Sequence, residues 1–470
     1  MKFSICTDFE LDVSHLYGEG WAVREEEMEA LGEKIRHAAE AVGEIRRTGK
    51  GPRPGSTVLF PHLPYILEEG LLMDGEEISQ MRRLGAIAAA GRLDAVISVG
   101  IGGSYLGNQA LFDACCGPYW NIAEAGERHH FPRVFFAGQT ADPESLHSLL
   151  TFLKGEKKKK NGPYRVLVLV ISKSGTTIEP SGALSVLEKA LPAMGCKTFF
   201  AAVTDRKKGR LLASCQAEGW IHFAVPEGIG GRFSVFSQVG LVFAALCGID
   251  GNAFLRGARD VEEACRREDW RENPALALAA MKYIATRSHG IGAEITMPYG
   301  DRLRSLALWY AQLLGESLGK KYDLAGQVVH AGRIPVSAVG TTDMHSLTQE
   351  QQEGAANKLL QFISVKRPSA DLDFSLEEMG KPCTVPMGYV MHAALSANAE
   401  ALASEKRMSC ELSVGEVNEY FLGALMYFFF LTIAYEGALW GIDAYDQPGV
   451  EAYKKILHKD LAAYGDRRKK

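Results

Sequence analysis

Short apolar runs separated by amphipathic stretches dominate the middle of the chain. From about residue 94, β-rich segments recur at Ala95–Val99, Val134–Ala137, Val166–Ile171, Thr198–Val203 and Ile221–Ala224, with helical stretches between them. Val166–Ile171 is continuously apolar, as a strand buried on both faces should be. Strands alternating with helices predict an α/β architecture with a parallel, doubly wound sheet. A second, weaker alternation runs from about 290 to 366, through Ile291–Met297, Val328–Val329, Val336–Val339 and Phe362–Val365. Two lobes of similar build are therefore expected. Residues 1–90 read as helical, with amphipathic segments at Glu25–Val42 and Ile78–Ala90 and a Pro/Gly hinge at Gly51–Gly55. The pattern after 385 reads as helical to the end. The predicted division is a helical segment over 1–90, a larger lobe over 91–265, a smaller lobe over 266–385 and a helical segment over 386–470. The lysine run within Glu156–Gly162 reads as a solvated loop.

Length and composition narrow the class. A chain of 470 residues is too long for one small core. Apolar residues at 47% and charged residues at 23% describe an ordinary globular protein. A net charge of −5 argues against nucleic acid as a partner, so a bound anion needs a local site. Nine cysteines without a C-x-x-C pair read as free thiols of a reducing, cytoplasmic compartment. The N-terminal MKFSICTDFELDV carries acids where a signal peptide needs an apolar core. Tyr420–Tyr435, about 16 residues, is the most apolar stretch and suits a buried helix rather than a membrane span.

Two loops at predicted strand ends are suited to anions. Ala95–Val99 runs into Gly100-Ile-Gly-Gly103-Ser104-Tyr-Leu-Gly107, where glycines let the backbone approach a ligand and a helix start offers N–H donors. A dinucleotide fingerprint would need glycine at 105, where Tyr105 stands. Val166–Ile171 ends in Ser172-Lys173-Ser174-Gly175-Thr176-Thr177, four hydroxyls and a lysine just before a helix opening near Pro180. Strand C-termini are where open α/β sheets bind ligands, and these groups can wrap a phosphate. The same residues also suit an ordinary turn that caps a helix. Neither loop is a Walker loop, and Gly315–Lys321 has the wrong spacing for one.

Candidate chemistry lies further along. Gly230-Gly231-Arg232 would let a permanently charged guanidinium sit close to a ligand. Gln312 and Glu316 are four apart and share a helix face, and partial burial there would raise a carboxyl toward a useful base. In Gly340-Thr-Thr-Asp343-Met-His345, the histidine falls in a first helical turn, which disfavours its protonation. Asp446-Gln447-Pro448 reads as a helix start with Lys454 in the early turns, where a plain surface charge is the simpler reading. No H-E-x-x-H or clustered His/carboxylate motif is visible, so no metal and no cofactor is expected.

Taken together, Val99–Gly107, Ile171–Thr177, Gly230–Ser234, Gln312–Ser317, Gly340–His345 and Gln447–Lys454 resemble the phosphoglucose isomerase family in its shorter bacterial form. They stand in family order and span about residues 95 to 455. Leu318 departs from the pattern, since a polar or acidic residue commonly follows Glu316-Ser317. The resemblance implies two sugar-isomerase (SIS) lobes with flavodoxin-like sheets, and reversible aldose–ketose isomerisation of glucose 6-phosphate and fructose 6-phosphate in glycolysis and gluconeogenesis. It implies a phosphate cradle of Ser172, Lys173, Ser174 and Thr177, with Gly103 and Ser104 beside the sugar. Glu316 would be the base and Arg232 the partner of the enediolate. His345 and Lys454 would assist ring opening, with Gln312 and Gln447 positioning substrate. It further implies a homodimer whose histidine comes from the neighbouring subunit. A phosphosugar-sensing regulator on the same lobes would need the cradle but not Glu316, His345 and Lys454.

Overall fold

The computed structural model describes every residue except 19, 69, 379, 380, 469 and 470, and no side chains at 378, 381 and 465–468. The chain opens with an antiparallel pair, β1 (Lys2–Cys6) and β2 (Phe9–Asp12). Helices α1 (Glu25–Ala30), α2 (Gly32–Thr48) and α3 (Gly75–Ala89) follow. Asp74 caps α3 by accepting from the amide of Glu77, whose carboxylate answers back to the Asp74 amide.

The first sheet is built from β3 (Ala95–Val99), β4 (Arg133–Ala137), β5 (Arg165–Ile171), β6 (Lys197–Asp205) and β7 (Ile221–Val225). The intervening helices are α4 (Leu106–Cys116), α5 (Pro143–Lys159), α6 (Ile178–Ala193) and α7 (Arg210–Glu218). All pairings are parallel, in the order β4-β3-β5-β6-β7. This is a flavodoxin-like order, whose direction reverses between β3 and β5. Helices α8 (Gln238–Cys247), α9 (Gly251–Ala264) and α10 (Pro274–Ser288) lead to the second sheet.

That sheet contains β8 (Ala293–Pro298), followed by α11 (Arg304–Leu318), β9 (Ile334–Ser337), α12 (Met344–Glu353) and β10 (Lys358–Val365). A hairpin of β11 (Asp373–Glu378) and β12 (Lys381–Pro386) precedes α13 (Met387–Ser404) and β13 (Ser409–Val414). The long α14 (Glu419–Trp440) and the terminal α15 (Glu451–Arg468) complete the chain. The second sheet runs β1-β2-β13-β10-β8-β9, so its parallel part repeats the reversal seen in the first.

Four expectations change. Residues 1–90 are not all helical, because β2 pairs antiparallel with β13 and carries β1 into the second sheet. The chain after 385 is not helical throughout, because Ser409–Val414 forms a strand between β2 and β10. Both segments are short, and their burial comes from partners distant in sequence. Val328–Val329 is not a strand, and Val328 makes only an isolated bridge with Tyr322. The lysines at 157–159 are not in a loop but in the last turn of α5, where the helix dipole favours cations.

Helix α14 passes through the centre of the molecule. Its most apolar window would span a membrane by length, yet it is 94% buried within the protein. It crosses α9 so closely that a Cβ on Gly257 would stand 1.9 Å from the Tyr420 carbonyl oxygen. A fully buried ionic network ties β8 to its neighbours. Glu294 accepts from Lys282 Nζ at 2.6 Å, Tyr310 Oη at 2.7 Å and Arg333 Nη2 at 2.7 Å, and Arg333 continues to Glu436 on α14. Tyr310 lies on α11, so this network fixes the helix that carries Gln312 and Glu316.

Candidate active site

Strands β3 and β5 are neighbours at the reversal point, and both candidate anion loops leave the sheet there. A cleft of about 550 Å³ opens between them, lined by Ser104, Ser172, Lys173, Ser174 and Thr177, and by Asp205 and Lys208 from the end of β6. The loop is braced internally. Ser172 Oγ accepts from the Gly175 amide at 3.1 Å, and Ser174 Oγ accepts from the Thr176 amide at 3.2 Å. Gly175 takes φ +67°, a conformation that glycine adopts without strain. Thr177 occupies the N-cap of α6, but its side chain makes no capping bond. Lys173 and Ser174 are exposed and Thr177 is half-buried. The start of α6 thus leaves donors facing the cleft.

The second half of the site forms around Arg232. A Cβ on Gly103 would lie 2.0 Å from the Gly231 carbonyl oxygen, so the two glycine loops meet backbone to backbone. This contact seats Arg232 behind the first loop, 2% exposed. Its Nε donates to Ser317 Oγ at 2.7 Å, and its Nη2 to the carbonyls of Ala444 at 2.5 Å and Asp446 at 3.0 Å. The remaining Nη1 reaches Gln447 Oε1 at 3.1 Å and Glu316 Oε2 at 3.4 Å. The other carboxylate oxygen, Glu316 Oε1, accepts from Gln312 Nε2 at 3.0 Å. Burial pulls the Arg232 pKa below the usual guanidinium value, while Glu316 and Asp446 oppose the fall.

The structure brings together Arg232, Gln312, Glu316 and Gln447, and separately lines the cleft with Ser104, Ser172, Lys173, Ser174 and Thr177. Gly103, between Gly102 and Ser104, links the two groups. His345 and Lys454 are not joined to either group. His345 is exposed in the first turn of α12, and Lys454 Nζ pairs with Glu451 Oε1 at 3.1 Å in the first turn of α15. Among the described residues, no hydrogen bond or ion pair joins either to Glu316, Arg232 or the cleft.

A profile described as phosphoglucose isomerase matches residues 76–373, more than half of the chain. The chain belongs to the phosphoglucose isomerase family. It is 34% identical to a glucose-6-phosphate isomerase of Carboxydothermus hydrogenoformans over 97% of this chain and 94% of that protein. It is 34% identical to one of Symbiobacterium thermophilum over 82% and 84% of the two chains. Among solved structures, a hypothetical protein of Thermus thermophilus superposes with a TM-score of 0.77 at 30% identity, covering 97% of this chain and 100% of that one. A glucose-6-phosphate isomerase of Chlamydia trachomatis shares the fold, with a TM-score of 0.82 at 22% identity over 98% and 89% of the chains.

For this member of the phosphoglucose isomerase family, sequence reasoning missed several groups around the site. Ser317 adjoins Glu316 and was within reach. The Ala444 and Asp446 carbonyls carry no side-chain signature. Asp205 and Lys208 follow a strand end, and Asp205 Oδ1 accepts from the Lys207 amide at 2.8 Å and the Lys208 amide at 3.1 Å. Lys320 is buried, with its Nζ bonded to the carbonyls of Glu316 and Ser317. Its only sequence signal is a basic residue past a helix end.

Proposed function

We propose that this chain interconverts glucose 6-phosphate and fructose 6-phosphate by moving one proton between C2 and C1. The observation that supports this most is the Glu316 carboxylate, held between Gln312 and the buried Arg232 guanidinium and one loop away from a hydroxyl-lined cleft. The phosphate is cradled by Ser172, Lys173, Ser174 and Thr177, with Gly103 and Ser104 beside the sugar. In the open aldose, Glu316 removes the C2 proton. The electron pair forms the C1–C2 double bond, and the C1 carbonyl oxygen takes the charge of a cis-enediolate. Transfer of the hydroxyl proton from the C2 oxygen to the C1 oxygen, with return of the proton from Glu316 to C1, gives the ketose.

A proton alpha to a carbonyl is a poor acid, so the enediolate needs a fixed positive partner. Arg232 supplies it without rearrangement, because its other donors are already engaged. Such a preorganised charge contributes roughly 3 kcal/mol or more. Gln312 and Gln447 orient the substrate and the carboxylate.

Ring opening is assigned to His345 and Lys454. Among the described residues of one chain, His345 makes no hydrogen bond or ion pair to Glu316 or Arg232, which supports a shared site in a homodimer, completed by His345 of the partner subunit. The setting is cytoplasmic, in glycolysis and gluconeogenesis, and no metal takes part.

Conversion of fructose 6-phosphate, with and without chelator, tests the reading. Turnover in both arms supports it. No conversion removes it, and loss under chelator removes the metal-free part. Mannose 6-phosphate in parallel decides whether the C2 epimer is also accepted.

A further inference from the structure

Lys320 follows α11 by two residues and is 7% exposed. Its Nζ donates to the main-chain carbonyl of Glu316 and, at 3.0 Å, to that of Ser317. It also stands 3.7 Å from Asp446 Oδ1. These are the two segments that hold Arg232, through Ser317 Oγ on one side and the Ala444 and Asp446 carbonyls on the other. A lysine can close a helix C-terminus from the surface. Here the ammonium is buried beside a second cation instead, an arrangement that costs desolvation and like-charge repulsion.

We propose that Lys320 is a positioning residue of the isomerisation site: its ammonium joins the peptide that carries Glu316 to the segment that carries Asp446 and Gln447, and so sets the Glu316 carboxylate against the Arg232 guanidinium. This rests on Glu316 being the base. The charged groups facing Lys320 are Arg232 from the turn Gly231–Phe233, and Asp443 and Asp446 from the segment before α15. Arg53 closes the far side of both aspartates, at 3.0 Å from Asp443 and 3.5 Å from Asp446.

Burial pulls Lys320 down to about 8, Arg232 adds to the fall, and Asp446 and Asp443 oppose it. The sign follows. The charged tether is complete below that pH and is lost as pH rises through it, so kcat acquires an alkaline limb near pH 8.

The test is the pH profile of kcat and KM for fructose 6-phosphate in Lys320→Met, Lys320→Arg and Asp446→Asn, with thermal unfolding of each. Lys320→Met is expected to lower kcat on the order of 10- to 100-fold with KM little changed, and to abolish the limb. Lys320→Arg should restore part of kcat and move the limb to higher pH. Asp446→Asn, which removes a charge that favours the ammonium, should move it to lower pH. A folded Lys320→Met that keeps the wild-type limb overturns the proposal, whatever its melting temperature. If Lys320→Met does not fold, an unmoved limb in Asp446→Asn overturns it. Normal turnover by Glu316→Gln would instead remove the assignment of the base, a separate failure.

Discussion

Arg232 Nη1 lies 3.4 Å from Glu316 Oε2, although the two residues are 84 positions apart in the chain. The guanidinium side chain is 1% exposed and the carboxylate 30%, so the cation is fixed in the wall and the anion keeps an open side. A base must reach substrate, and a charge stabiliser must not move.

Glu316→Gln keeps the shape and the Gln312 contact but removes the proton acceptor. Its kcat should fall by about 100- to 10,000-fold, with fructose 6-phosphate affinity within a few-fold of wild type. Single-turnover kinetics and equilibrium binding separate the two quantities.

Arg232→Lys keeps a charge but not the fork. One ammonium cannot serve Ser317, Ala444, Asp446, Gln447 and Glu316 together. Each buried acceptor left without a donor costs about 1–3 kcal/mol, so chemical denaturation should find a less stable protein. Turnover should fall about 100- to 1,000-fold, the scale of losing a preorganised partner for a developing oxyanion.

Gly103→Ala probes the contact between the loops. The added methyl would meet the Gly231 carbonyl oxygen at 2.0 Å and the Arg232 amide nitrogen at 2.7 Å, backbone atoms that cannot turn away. Overpacking of this kind costs about 1–3 kcal/mol. It should also displace Arg232, so kcat is expected to fall by more than the loss of stability alone explains. Activity measured well below the melting temperature checks this.

Mixing tests whether the site is shared between two subunits, as proposed. Glu316→Gln and His345→Ala homodimers should each be nearly inactive. Co-refolding them forms heterodimers in which one site has both wild-type groups, so turnover should reappear. Absence of recovery in refolded, dimeric mixtures would assign His345 to its own chain or to no catalytic part.

Glu294 sets an acid limit on the scaffold. Burial raises its pKa, but Lys282 and Arg333 outweigh burial and bring it to about 2, against an ordinary value of 4.5. The stabilising charge is complete above the unfolded value and is lost as pH falls through the folded one. Wild-type stability should therefore decline between pH 4.5 and about 2. Glu294→Gln, which leaves Lys282 and Arg333 under-compensated, should be less stable at pH 7 by about 3–5 kcal/mol and flatter across that acid window. Denaturant titrations at several pH values measure both.

Local pattern carried the first lobe. Each of its five strands follows a run of apolar, β-prone residues, because a strand covered on both faces must be apolar along its length. The second sheet was less legible. Ser409–Val414 alternates and is only six residues long, and its place between β2 and β10 depends on pairing with residues near 10 and 360. The N-terminal hairpin is illegible for the same reason, since its partner strand lies some four hundred residues away.

By itself the sequence determined the residue types and the loops that present them: glycines where backbones must touch, hydroxyls and a lysine at a strand end, an arginine after two glycines, and a glutamine and glutamate on one helix face. Those follow from short-range geometry. Only the tertiary structure decided that Arg232 meets Glu316 and also Gln447, 215 positions away, that Lys320 is buried behind them, and that Lys454 pairs with Glu451. Contacts of that kind arise when separate elements pack, and neither periodicity nor spacing along a chain records which distant elements will meet.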